Sequence, residues 1–153
     1  MNLVKSASVA YLHYVSFMIC FGALVYERAL LKINPNKKEA ISLILADVIY
    51  GIAGIVLLTS GIFRVIKYGQ GSDFYTHNPV FWIKIIIFAL VGSLSLYPTF
   101  NYIYWAIPIS KGNLPDVNSD LISRLKSIVS IELIGFSLIP LFATFMARGI
   151  GLN

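Results

Sequence analysis

Residues 11–28 read YLHYVSFMICFGALVYER. The run is apolar enough to sit in lipid, yet it carries a histidine near one end and the pair Glu27–Arg28 at the other. A charged side chain near the bilayer centre costs about 2.5–3.5 kcal/mol on insertion scales, so such residues turn toward the protein interior and find partners there. His13 and Glu27 lie fourteen positions apart, about four helical turns. They therefore share one face of a helix at opposite depths, and that face is expected to look into a bundle.

The rest of the chain supplies the bundle. Of its 153 residues 58% are hydrophobic and 12% charged, where a soluble domain has about a quarter charged. Four segments, roughly 3–26, 43–63, 80–103 and 125–147, have the ~20 apolar residues a bilayer crossing needs. Short polar connections separate them, with turn signals in INPNKKEA, YGQGSDFYTHNP and KGNLPDVNSD. Asn118, Ser119 and Asp120 are the candidate caps of the last helix, since each can accept an orphan amide hydrogen bond. The spacing predicts an all-α fold, an integral membrane four-helix bundle running up-down-up-down as a single domain over 1–153.

The first span resembles a secretory signal only superficially. No small-residue cleavage site follows it and three further spans do, so it is expected to stay in the mature protein. Cys20 is the single cysteine, which excludes an internal disulfide and a cysteine-cluster metal site. The net charge of +5 is dispersed over loops and helix ends; that pattern fits anionic lipid headgroups and not nucleic acid. Arg28, Lys32, Lys37, Lys38, Lys111, Arg124 and Lys126 outnumber Lys5, Arg64, Lys67 and Arg148 on the opposite side, with Lys84 narrowing the gap. By the positive-inside rule both termini face outward.

Small residues indicate the packing faces, because lipid gives helices little hydrophobic reason to associate. Asp47, Gly51, Gly54, Leu58 and Gly61 share one face of the second span; Lys84, Phe88, Gly92, Ser95 and Thr99 align in the third; Glu132, Gly135, Ile139, Ala143 and Met146 align in the fourth. All three stripes are expected inside, each with one ionisable residue. By depth, the ionisable and polar residues fall into two layers. His13, Arg64, His77 and Lys84 form an outer basic layer, and Glu27, Arg28, Asp47, Asn101 and Glu132 an inner, largely acidic one.

Each residue carries two readings. His13 either ligates a haem iron, with basic neighbours such as Arg64 and Lys84 holding the propionates, or hydrogen-bonds a carbonyl or tyrosine. Lys84 and Arg64 either serve that site or snorkel to the headgroups, with Trp82 as an interfacial anchor. Glu132 lies too deep to reach water, so a partner such as Arg28 or a role in proton movement is expected. Asp47 is also a candidate cap for the start of the second helix, where the dipole favours a carboxylate, and Pro140 is expected to kink the fourth. His77 reads as a turn residue. No phosphate loop, dinucleotide fingerprint, HExxH or defensible Ser-His-Asp arrangement is present.

The segments ALVYERALL, DVIYGIAG, GIFRVIKYGQGSDFY, HNPVFWIK, LSLYPT and IPLFATFMARGIG resemble a bacterial family of predicted four-helix membrane proteins of unknown function, which implies a bacterial inner-membrane location. A more distant resemblance rests on His13, Gly22, Leu24 and Arg28 in the first helix, Gly61 closing the second, Trp82 and Lys84 opening the third, and Glu132 in the fourth. That order is similar to HemJ, a four-helix membrane protoporphyrinogen oxidase that binds haem b, and more loosely to the CopD copper-resistance proteins. The resemblance implies His13 as a haem ligand and Arg28 and Lys84 as functional basic residues. A haem b protein that moves electrons or oxidises a porphyrin is the leading expectation. The alternatives are a non-catalytic subunit or assembly factor of a larger membrane complex, binding helices, lipids or pigments, and a small proton-coupled transporter built on Glu132 and Asp47, which would need a homo-oligomer to make room for a pathway.

Overall fold

The computed structural model describes residues 3–151. Its helices in chain order are α1 (Leu3–Leu30), α2 (Lys37–Phe63), α3 (Ser72–Thr76), α4 (Pro79–Ser110) and α5 (Ser119–Ala147), and no strand occurs among the described residues. The four long helices contain 28, 27, 32 and 29 residues. At 1.5 Å per residue each is about 40 Å long, more than the ~30 Å of a bilayer's hydrocarbon core. The protein is an all-α, integral membrane helical bundle whose outer surface of Met18, Ile52, Ile86, Leu90, Ile103 and Ile134 is exposed and meets lipid.

The helices begin where their sequences provide caps. Asn36 and Glu39 form a reciprocal capping box at the start of α2, with Asn36 Oδ1 accepting from the Glu39 amide and Glu39 Oε2 from the Asn36 amide. Such a box satisfies two of the amides a helix start leaves without partners. It places the start of α2 ten residues ahead of Asp47, so Asp47 is a mid-helix residue and not the cap expected of it. Asn118 caps α5 by accepting from the Leu121 amide, as anticipated. Asn78 caps α4 and is fully buried, its amide nitrogen donating to the Ile150 carbonyl and so tying the chain's last turn to the start of α4. Pro98 and Pro108 within α4 and Pro140 within α5 are all accommodated in continuous helices.

α1 packs chiefly on α2 and α4 on α5; contacts of α2 with α4 and of α1 with α5 close the ring. Every neighbour is antiparallel, the up-down-up-down arrangement. One apolar core joins all four long helices through Leu24, Leu43, Ala53, Val91, Trp105, Leu125 and Phe136. A smaller cluster of Tyr75, Val80, Phe81 and Met146 fills the end that carries α3. α2 does not stop cleanly there: it widens into a π-helical turn, Arg64–Tyr68. Beyond that turn Gly69 lies so close to the Arg64 carbonyl and the Tyr75 hydroxyl that no side chain fits.

The small-residue stripes divide three ways: that of α5 faces inward, that of α4 is half-buried except at Gly92, and that of α2 faces inward only at its two ends, Asp47 and Gly61. In α5, Glu132 and Met146 are buried, and a Cβ on Gly135 would come within 2.5 Å of Val91 Cγ2. In α2 the expected stripe holds at Asp47 and Gly61 and is overturned between them. Its buried residues are Leu43, Ala46, Asp47, Tyr50, Ala53, Leu57 and Ser60, whereas Gly51 and Leu58 are exposed and a Cβ on Gly51 or Gly54 would meet nothing within 4 Å. Larger side chains repeat every three to four positions along the neighbouring face, and these fill the interior in place of glycine. α4 likewise buries Val91, Pro98, Tyr102 and Trp105, leaving Gly92 exposed and Lys84, Phe88, Ser95 and Thr99 half-buried.

Gly135→Ala must therefore displace the buried Val91 and is expected to lower stability by about 1–3 kcal/mol, the usual range for overpacking. Gly54→Ala is expected to be neutral or to stabilise by up to ~1 kcal/mol through helix propensity. Thermal unfolding of the two variants in one detergent checks the contrast.

Candidate functional site

α1 brings its two unusual residues to opposite ends of the bundle interior. Towards the α1–α2 and α4–α5 loops lies an acidic layer. Glu27 of α1 and Glu132 of α5 are each 1% exposed, and Asp47 of α2 is 8% exposed. Thr99 Oγ1 donates to Asp47 Oδ1 at 2.8 Å, joining α4 to α2. The Tyr102 hydroxyl makes a long 3.4 Å contact with Glu27 Oε2. That contact runs from α4 to α1, two helices that do not pack side by side, so it crosses the middle of the bundle. Tyr50 and Phe136 make the other diagonal, their ring centroids 6.1 Å apart.

Among the described residues no cation pairs with this layer. Glu27 Oε1 and both oxygens of Glu132 have no hydrogen-bond partner among the described residues. Arg28 is not the partner expected for Glu132: its Nε donates to Ser130 Oγ at 2.8 Å, and Ser130 in turn donates to the Lys126 carbonyl. One helical position separates Arg28 from Glu27, which turns the two side chains about 100° apart and points only Glu27 at the bundle axis. Asn101 also leaves the layer, its side chain donating to the Tyr97 carbonyl of its own helix. Cys20, fully buried, is a thiol 3.7 Å from the Tyr50 carbonyl.

At the other end the interior is basic. His13 Nδ1 lies 3.1 Å from the Leu57 carbonyl oxygen and 3.1 Å from Ser60 Oγ. A carbonyl only accepts, so Nδ1 is the donor, and in the neutral ring this leaves the Nε2 lone pair open. Leu57 and Ser60 occupy one turn of α2, and Ser60 Oγ also donates to the Leu57 carbonyl. The next residue, Gly61, lets the ring approach: a Cβ there would stand 3.2 Å from His13 Cε1.

Arg64 and Lys84 are the cations whose charges reach this histidine. The Arg64 guanidinium lies 5.0 Å from the Tyr14 ring centre, and Lys84 Nζ lies 5.3 Å from that of Phe81. Such placements above aromatic faces offset part of the cost of a desolvated cation. Neither residue forms an ion pair with a carboxylate among the described residues; Lys32 and Glu39 do, at 2.7 Å in the α1–α2 loop. His13, Arg64 and Lys84 thus come together from three elements. Arg28 lies at the opposite end, turned off the bundle axis onto Ser130, and His77 sits exposed on the turn after α3 with Nδ1 against the Asp73 carbonyl.

No group of three or more His, Cys, Asp or Glu side chains among the described residues is arranged to hold a metal ion. For a haem the requirement differs, because the macrocycle supplies four of the iron's ligands and the protein adds axial ones and cations for the propionates. Toward that requirement the basic end offers one imidazole nitrogen without a partner among the described residues and two cations that form no ion pair there. The carbonyl-anchored Nδ1 is also the usual way a ligating histidine is oriented. An apolar groove of about 260 Å³ between α1 and α2, lined by Ile19, Ala23, Tyr26, Leu45 and Ile49 among others, contains none of these residues.

Fold and polar interior together define an integral membrane four-helix protein with acidic and basic groups segregated by depth. The chain belongs to the family described as Predicted membrane protein (DUF2214), which matches residues 5–151. No match was found among curated proteins or among solved structures, and these comparisons do not show the likeness to HemJ and CopD.

Tyr102, Thr99 and Ser60 were not singled out as site residues from the sequence, although Thr99 lay on an expected inward face. Tyr102 shares a helical stripe with Pro98 and Trp105, the one signal pointing to it. Thr99→Val keeps the shape of the side chain and removes the donor to Asp47. It is expected to cost about 1–3 kcal/mol, the penalty for leaving a buried polar group without its partner, measurable as a lowered unfolding midpoint in detergent.

Proposed function

We propose that this protein binds haem b, or a closely related anionic tetrapyrrole, at the basic end of the bundle and serves electron transfer or porphyrin oxidation in a bacterial inner membrane. The observation that carries this reading is His13, whose Nδ1 is held on the Leu57 carbonyl while Nε2 stays open beside Arg64 and Lys84. His13 would provide one axial nitrogen, and Arg64 and Lys84 would receive the propionates. A bound haem supplies one-electron chemistry at its iron. The chain's own part is to orient the imidazole through Leu57 and Ser60, to neutralise the carboxylates with two cations, and to surround the site with Tyr14 and Phe81.

On this reading the basic end, with both termini, faces the outer side of the membrane, an orientation that the excess of basic residues in the α1–α2 and α4–α5 connections supports. Gly61 adds a packing requirement of its own, since any side chain there meets the His13 ring.

Protein purified in mild detergent after expression with haem supply is expected to show a Soret band. His13→Ala should abolish it, and Arg64→Ala or Lys84→Ala should weaken haem retention several-fold. A haem-supplied preparation without a Soret band overturns the reading, and a band unchanged in His13→Ala overturns the ligand assignment.

A further inference from the structure

The acidic layer plays no part in that reading, and its geometry demands an explanation. Glu132 is 1% exposed with neither oxygen hydrogen-bonded, and it faces Asp47 across the α2–α5 diagonal. Glu27, equally buried, uses Oε2 on the Tyr102 hydroxyl and leaves Oε1 without a partner. The titratable groups turned toward this layer come from every long helix: Cys20 and Glu27 from α1, Asp47 and Tyr50 from α2, Tyr102 from α4 and Glu132 from α5. None is basic.

Carboxylates gathered in a low-dielectric interior repel one another and need a positive partner. A metal ion is one candidate, but it needs several oxygens converging at once, and among the described residues no such group of three exists. A proton needs a single oxygen. Glu27 Oε1 and the Glu132 oxygens are available for it, and Thr99 and Tyr102 donate to the oxygens that would remain acceptors. The groups are also graded in depth. Glu27 lies one turn from the end of α1, Asp47 about 15 Å along α2 and Glu132 about 20 Å along α5, taking 1.5 Å per residue.

We propose that Glu27, Asp47 and Glu132 form an intramembrane proton-binding site, loaded and unloaded from the end of the bundle where Glu27 lies. Each loading step converts a carboxylate and a proton into a carboxylic acid, with no further reactant. The site stands independently of haem binding, because it involves none of His13, Arg64 or Lys84.

Infrared spectroscopy of the full chain in lipid nanodiscs at neutral pH, in H2O and D2O, tests this directly. The expected result is a protonated-carboxyl carbonyl band that shifts in D2O, loses part of its intensity in Glu132→Gln or Glu27→Gln, and falls to the background of surface acids in the variant Glu27→Gln/Asp47→Asn/Glu132→Gln. Raising the bath pH should diminish the wild-type band reversibly. Absence of the band from the wild type, its persistence at full intensity in the triple variant, or its insensitivity to bath pH overturns the proposal. So does a band that disappears on adding sodium chloride at constant pH, which would make the occupant a metal cation. The wild-type bands alone decide the matter should a variant fail to fold.

Discussion

Three carboxyl groups on three helices share the middle of this bundle without a cation beside them, and much of the interior is arranged around that fact. In lipid an outward-facing carboxyl has no water to turn to, so Glu27, Asp47 and Glu132 must point at the axis. That requirement fixes the rotation of α1, α2 and α5. Once the rotations are set, Leu24, Tyr50, Val129 and Phe136 fall into the core, and the exposed isoleucines and leucines take the lipid surface. Tyr102 then completes the layer from the fourth long helix, reaching across to Glu27.

The basic end follows from the same rotation of α1. Fourteen positions from Glu27, His13 returns to the same face and meets the turn of α2 containing Leu57, Ser60 and Gly61. The π-helical turn that begins at Arg64 belongs to this end too. Acidic and basic groups are therefore kept apart by depth and do not neutralise one another. A bundle that paired them would be a simpler structural solution; keeping them separate leaves a cationic end and a carboxyl-rich end.

Much of this could be read from the chain alone. Four apolar segments with short polar connections gave the architecture, and the depth of each ionisable residue gave the two layers, because a charge in lipid has so few places to go. The rotation of α2 could not be read from its glycines. Small residues permit close approach but do not compel it, and Gly51 and Gly54 face outward while Leu43, Tyr50 and Leu57 pack the interior. The Arg28–Glu132 pairing failed for a related reason: the guanidinium follows its own helix face to Ser130, a neighbour that no spacing rule within one helix reveals. Tyr102 was hidden because tyrosines are common near membrane interfaces, and only the diagonal across the bundle distinguishes it from the rest.

The central claim, that the deep carboxyls have no cationic partner, is tested most directly by the thermal stability of Glu27→Gln, Asp47→Asn and Glu132→Gln against the wild type in one detergent at neutral pH. An amide resembles a neutral carboxyl in shape and charge and its replacement breaks no ion pair, so each variant is expected to unfold within about 1 kcal/mol of the wild type or at higher temperature. A loss of about 3–5 kcal/mol at Glu27 or Glu132, the cost of breaking a buried ion pair, would contradict the account and show that a cation holds the interior together.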